Sequence, residues 1–174
     1  MRQLILGGAR SGKSRLAERL AIASGRQVIF VATAEALDDE MSARIAHHRR
    51  HRPASWHTIE EPLRLAALID RHRDSEALLL IDCLTLWLSN LLHRVAEPMK
   101  SIETFCRAIE NCRAELLMVS NETGLGVIPG NPLSRRFVDA AGRLHQGLAS
   151  RCDRVILTVA GLPHVLKGPP CDAD

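Results

Sequence analysis

Short, continuously apolar runs alternate along this chain with longer segments whose apolar residues recur at helical spacing. The runs lie at residues 2–7 (around Leu4-Ile5-Leu6), 27–33 (QVIFVAT), 77–81 (ALLLI), 116–119 (LLMV) and 154–159 (RVILTV), with a shorter one at Trp56–Glu60. Their length and β-branched content predict strands. Helical spacing predicts helices over 13–23, from Asp38 toward Arg50, after Pro62, over 83–95, over 98–111 and from Asn131-Pro132 onward. The apolar faces fall on Leu65, Leu68 and Ile69, on Leu84, Trp87, Leu88, Leu91 and Leu92, and on Leu133, Phe137, Leu144 and Leu148.

Local signals agree with these boundaries. Asp38-Asp39-Glu40 sets carboxylates at the positive end of a helix dipole, and Pro53 stops that helix. Pro62 and Pro98 stand where first helical residues are expected, and Asn131-Pro132 pairs a cap residue with proline. Strands that are apolar throughout are buried on both faces, so the pattern predicts an α/β fold with a mostly parallel sheet and helices on both sides. Ligands bind such sheets at the carboxyl ends of the strands. The candidate positions are then Gly7–Ser14, Thr33-Ala34, Glu60-Glu61, Asp82 and Ser120–Gly126. Arg154–Val159 reads as the last strand, and residues 168–174 as a frayed tail.

With 174 residues the chain suits one domain, 1–174, with a sizeable core. Hydrophobic residues make up 46% and charged residues 25%, the balance of a water-soluble protein. No apolar run approaches the roughly 20 residues of a membrane span, so no membrane span is expected. Met1-Arg2-Gln3 leads straight into the first strand without a leader, which points to the cytoplasm. The cysteines (Cys83, Cys106, Cys112, Cys152, Cys171) are odd in number and form no CxxC pair, which argues for buried thiols rather than disulfides or zinc. A net charge of +3 does not imply nucleic acid, and 3% aromatics with no tyrosine offers no stacking platform, so no nucleic-acid partner is expected. Arg44, Arg49, Arg50 and Arg52 nevertheless crowd around His47, His48 and His51, the composition of a local anion site.

The segment Gly7-Gly8-Ala9-Arg10-Ser11-Gly12-Lys13-Ser14 matches G-x-x-x-x-G-K-[ST] between a strand and a helix, the context a phosphate loop requires. Gly7, Gly8 and Gly12 are expected to allow close approach that a side chain would block. Loop N–H groups then converge on phosphate oxygens, Lys13 reaches the outer phosphates and the Ser14 hydroxyl ligates Mg²⁺. The expected ligand is a nucleoside triphosphate. Asp82 ends an apolar strand where a metal-orienting carboxylate belongs, yet Asp is also a favoured helix cap, and the two roles are compatible.

His47 and His51 are one helical turn apart, which suits a metal pair, but the surrounding arginines would repel a divalent cation. Two other readings stand beside it: a solvated basic helix end, or a neutral imidazole among arginines acting as a nucleophile on phosphorus. Spacing does not choose among them. Ser120-Asn121-Glu122 reads as a polar turn or a substrate loop, and Arg135 and Arg136 as phosphate or solvent contacts.

Together these residues resemble the bifunctional adenosylcobinamide kinase/adenosylcobinamide-phosphate guanylyltransferase family of cobalamin biosynthesis. The resemblance runs through Gly7–Ser14, Ala32-Thr33-Ala34, Asp38–Met41, Arg44–His48, Arg52-Pro53, Trp56, Thr58, Glu60, Asp82–Thr85, Asn90–Leu92 and Ser120–Glu122. It continues through Gly124, Gly126, Pro129, Arg136, Phe137, Asp139 and Gly142-Arg143. It implies a RecA-like P-loop fold, a homotrimer, and His47 as the residue that becomes guanylylated. Nucleotide contacts (ATP or GTP) would fall on Gly7, Gly8, Ala9, Arg10, Ser11, Gly12, Lys13, Ser14, Ala32, Thr33, Ala34, His48, Arg49, Arg50, His51, Glu60 and Asp82, with Ser14 and Asp82 toward Mg²⁺. The implied partners are adenosylcobinamide and adenosylcobinamide phosphate. Two positions depart from the family pattern: His145 stands where Asn is expected and Thr123 where Val is usual.

Overall fold

A computed structural model describes residues 1–35, 39, 46, 50 and 52–171. The expected helix from Asp38 toward Arg50, with His47, His48, Arg49 and His51, falls largely outside the described residues. Of that stretch, Asp39, Ala46 and Arg50 are helical and exposed.

The chain runs β1 (Arg2–Gly7), α1 (Lys13–Ala23), β2 (Val28–Ala32), β3 (His57–Glu60), α2 (Leu65–Arg71), β4 (Leu78–Asp82), α3 (Leu84–Arg94), α4 (Pro98–Asn111), β5 (Glu115–Asn121), α5 (Pro132–Arg151), β6 (Arg154–Val159) and β7 (Leu162–Lys167). The strands form one sheet in the order β3-β2-β4-β5-β1-β6-β7. All neighbours pair in parallel except β6 and β7. No helix among the described residues is long and apolar enough to cross a membrane.

Side chains that alternate across each strand build two apolar layers. Ile5, Phe30, Leu78, Leu80, Leu117, Val119 and Ile156 pack with Leu16, Ala17 and Ala21 of α1. Leu4, Leu6, Val31, Leu79, Ile81, Leu116 and Met118 pack on the other face against α2–α5. In that second layer Trp87 and Phe105 meet with ring centroids 4.9 Å apart. Burial on both faces explains why these strands read as unbroken apolar runs.

Several expectations need correction. Pro62 is not a first helical residue: α2 begins at Leu65, and the buried Glu61 carboxylate accepts the N–H groups of Leu63 (3.1 Å) and Arg64 (2.7 Å). Ser120 and Asn121 belong to β5 rather than to the loop after it. Leu133 is exposed, because the helix turns its first residues outward before Ala140 and Leu144 reach the core. Arg154–Val159 is not the last strand. A two-residue turn, Ala160-Gly161, has positive φ at both positions (52° and 82°) and folds β7 back antiparallel on β6. Beyond it, Arg154 Nη1 donates to the Pro170 carbonyl at 2.7 Å, and Cys171 packs against the α1-side layer.

Candidate functional site

The phosphate-loop sequence leaves β1 at its carboxyl end and turns into α1. Gly12 occupies the N-cap position with φ 95°, a left-handed conformation that glycine adopts without strain. A Cβ there would stand 3.1 Å from the Cα of Gly161, whose N–H donates to the Ser11 carbonyl at 2.9 Å, so the β6–β7 turn buttresses the loop. Gly7 is confined more tightly: a Cβ would stand 2.3 Å from Ser11 Oγ and 2.6 Å from the Thr158 carbonyl oxygen. Gly8 differs from the expectation, since, its chain neighbours aside, no atom of the described residues lies within 4 Å of a Cβ built there. Lys13 Nζ folds back to donate to the Gly8 carbonyl at 3.2 Å.

Strand register orders the other site candidates along the same edge. Gly7 lies between Asn121 of β5 and Thr158 of β6. Asp82 of β4 is opposite Ala32 and Val119, and Glu60 of β3 is opposite Ala32. One strand separates β4 from β1, so Asp82 stands roughly 10 Å across the edge from the loop at about 4.8 Å per strand. Glu60 is exposed and roughly 19 Å from the loop by the same count. The edge therefore has two ends rather than one cradle. At the far end, Arg52, Pro53, Ala54, Trp56, Thr58 and Glu60 line a cleft of about 400 Å³. There the Arg52 guanidinium lies 3.4 Å from the Phe30 ring centroid, and its Nη1 donates to Thr58 Oγ1 at 2.9 Å.

The cap alternative for Asp82 does not hold, because Cys83 occupies the N-cap position of α3. Thr33 is fully buried and bound to Cys83 through its hydroxyl, and its carbonyl accepts from Asn90 Nδ2 at 3.0 Å. The Asp82–Cys83 peptide is cis. Burial, helped by the neighbouring Asp82 charge, pushes the Cys83 thiol up to about 11, so it stays protonated at neutral pH. Arg135 spends its Nη1 on the carbonyls of Pro129 (3.1 Å) and Gly130 (2.6 Å).

Beside the loop, the buried His145 of α5 joins the end of β5 to the residue after it. Its Nε2 lies 2.8 Å from Ser120 Oγ, and its Nδ1 lies 3.8 Å from Glu122 Oε2. A neutral ring carrying its proton on Nδ1 would turn that proton toward the carboxylate and accept from the serine hydroxyl. Burial lowers the histidine below its ordinary range, and Glu122 partly opposes that. Between Glu122 and α5 the chain exposes Leu125, Val127 and Ile128, an apolar rim in the segment that follows β5.

The donor set suits Mg²⁺. Ser14 and Asp82 are hard oxygen donors, and Mg²⁺ is held by one or two protein oxygens together with phosphate oxygens and water. Among the described residues no three His, Cys, Asp or Glu side chains gather to hold a metal alone. Furthermore, the described side-chain oxygens that are buried without a hydrogen-bond partner are Ser11 Oγ, Asn121 Oδ1 and Thr158 Oγ1. All three surround Gly7. Unpaired buried polar atoms concentrated at one point are what a polar ligand site leaves in a folded chain. Sequence reasoning missed Thr158 and treated Asn121 only as part of a loop. The available signal was that both are polar residues at or next to the carboxyl ends of strands with apolar middles.

Comparison with known proteins agrees with this geometry. Residues 3–166 match the family model described as cobinamide kinase / cobinamide phosphate guanyltransferase. The bifunctional adenosylcobalamin biosynthesis protein CobP of Pseudomonas aeruginosa is 57% identical, over 98% of this chain and 99% of its own length. The bifunctional adenosylcobalamin biosynthesis protein CobU of Salmonella typhimurium is 40% identical, over 94% of this chain and 98% of its own length. Among solved structures, the RadB recombinase superposes with a TM-score of 0.53 at 15% identity, covering 89% of this chain and 72% of that one. That likeness shows a RecA-like P-loop fold. The chain belongs to the cobinamide kinase / cobinamide phosphate guanyltransferase family.

Proposed function

We propose that this single-domain chain phosphorylates adenosylcobinamide with ATP or GTP and transfers GMP from GTP to adenosylcobinamide phosphate, giving adenosylcobinamide-GDP. The observation that carries the reading is the loop at Gly7–Ser14, with unpaired buried oxygens of Ser11, Asn121 and Thr158 around it. The segment bearing His47 follows Ala34 and Glu35, which leave β2 at the same sheet edge.

In the first reaction the loop amides and Lys13 hold the outer phosphates while the alcohol oxygen of the substrate takes the γ-phosphoryl group. Ser14 and Asp82 would hold Mg²⁺, which when bound offsets charge on the phosphates. In the second, an imidazole nitrogen of His47 attacks the α-phosphorus of GTP. An N–P bond forms, the P–O bond to the β-phosphate breaks, and pyrophosphate leaves from the grip of the loop. A phosphate oxygen of adenosylcobinamide phosphate then attacks the same phosphorus, and the N–P electron pair returns to His47. Arg50 and its neighbours His48, Arg49 and His51 would counter the phosphate charge. Ala32 and Ala34 would line the path between the loop and the Glu60 end, where Glu60 contacts the nucleotide. Thr33, fully buried on Cys83, would hold that path in place rather than touch the ligand. The apolar rim at Leu125, Val127 and Ile128 supports a large, partly apolar acceptor. By family resemblance the enzyme is a cytoplasmic homotrimer.

Incubation with Mg²⁺ and GTP labelled at the α- or γ-phosphorus tests the reading. The expected result is α-label on protein that survives alkali, is released by acid and is lost in His47→Asn while nucleotide binding persists. Retention of label in that variant overturns the role of His47. Absence of α-label in the unmodified protein leaves a simple kinase.

A further inference from the structure

Val119 and Asn121 are two residues apart on β5 and so project from the same face of the sheet. Val119 packs in the α1-side layer with Leu16 and Ala17. Asn121 therefore sits on the α1 face, one step beyond that layer and opposite Gly7, where the first turn of α1 opens.

The main chain at Asn121 is anchored from the other face. Its N–H donates to Thr85 Oγ1 at 2.6 Å; that oxygen lies 3.3 Å from Ser120 Oγ, which in turn lies 2.8 Å from His145 Nε2. The backbone is thus held by α3 and α5 while the side-chain amide projects toward the loop. Asn121 Oδ1 is buried with no hydrogen-bond partner among the described residues. Thr158 repeats the arrangement across Gly7: it follows Ile156 of the same layer by two residues, is 1% exposed, and its Oγ1 is likewise unpaired. A buried amide oxygen without a partner is costly. Beside a phosphate loop it fits a site whose ligand brings a water that donates to it while the NH₂ of the same amide meets the anion.

We propose that Asn121 is a terminal-phosphate contact. Its amide NH₂ donates to an oxygen of the outermost phosphate of a bound nucleoside triphosphate, and its carbonyl oxygen accepts from a water on that phosphate. The inference rests on the nucleotide reading above and adds a residue to it. The same contact serves both reactions, following the γ-phosphoryl group in one and the outer end of the departing pyrophosphate in the other. A rigid strand end suits this task better than a loop, because the donor must not drift as the phosphate moves.

Full-length protein with Mg²⁺ is titrated with GDP and with a non-hydrolysable β,γ-imido analogue of GTP. The unmodified chain is expected to bind the triphosphate analogue more tightly. Asn121→Ala should weaken the analogue about tenfold or more, the usual loss for a hydrogen bond to a charged group, and leave GDP within about twofold. Asn121→Asp, nearly isosteric but anionic, should weaken the analogue further and provides the reading if the alanine variant unfolds. Unchanged discrimination, or equal losses for both nucleotides in a folded variant, overturns the proposal alone. Failure of the unmodified chain to bind either nucleotide overturns the nucleotide reading and this inference with it.

Discussion

Thr33 and Cys83 hold each other twice. The Thr33 hydroxyl donates to the Cys83 carbonyl at 2.7 Å and accepts the Cys83 N–H at 2.9 Å, and Thr33 has no solvent exposure. This closed pair ties the end of β2 to the end of β4 immediately after Asp82, so it sets the distance between two parts of the sheet edge. Thr33→Val keeps the shape and leaves the Cys83 N–H and C=O without this partner. The expected loss is about 1–3 kcal/mol of stability by denaturant unfolding. Nucleotide affinity should fall as well if Asp82 shifts with Cys83.

Gly7→Ala should be more damaging than Gly8→Ala. The added methyl at Gly7 meets Ser11 Oγ and the backbone oxygen of Thr158, and the latter cannot swing aside. A cost of about 1–3 kcal/mol is expected from overpacking, with loss of nucleotide binding. At Gly8 the methyl meets no atom of the other described residues beyond its chain neighbours, so thermal stability should be nearly unchanged. Any binding defect in that variant then reports on the ligand rather than on folding.

Lys13→Ala should impair both proposed reactions, since both need the triphosphate held. A fall of about a hundredfold or more in each rate is expected for loss of a charged donor on the phosphates. Guanylylation that survives at the unmodified rate would show that the two reactions do not share the loop.

The His145 contact predicts acid sensitivity with a definite sign. Burial holds the ring below its ordinary value of 6.5, so the folded protein keeps it neutral while the unfolded chain protonates. The unfolded state then binds more protons, and stability that is present above pH 6.5 is lost as the pH falls through the folded value. His145→Asn should flatten the dependence of the melting temperature on pH below 6.5 relative to the unmodified chain. An unaltered slope would assign the acid loss to other groups.

Much of the fold was legible because its local signals are strong. β1, α1, α4 and β6 begin and end where the periodicity places them. Proline at the start of α4 and α5 marks those ends unambiguously, and Asn131 Oδ1 caps α5 by accepting the Ser134 N–H at 2.7 Å. Pro62 misleads because the same residue type also serves a turn, here closed by the Glu61 carboxylate. β7 escapes notice because its residues are mostly exposed and it depends on a turn at Ala160, a residue with no preference for positive φ.

By itself the sequence determined the phosphate loop, the alternation of strands and helices and hence the α/β class, because these rest on contacts within a few residues along the chain. Only the tertiary structure decided which polar residues share the loop's surroundings. Asn121 and Thr158 reach Gly7 through strand pairing between segments more than a hundred residues apart from it. The same pairing sets Glu60 at the far end of the edge, and the packing of α5 on the sheet brings His145 onto Ser120. Register and strand order arise from the packing of all the apolar runs at once, and no single run encodes its neighbour.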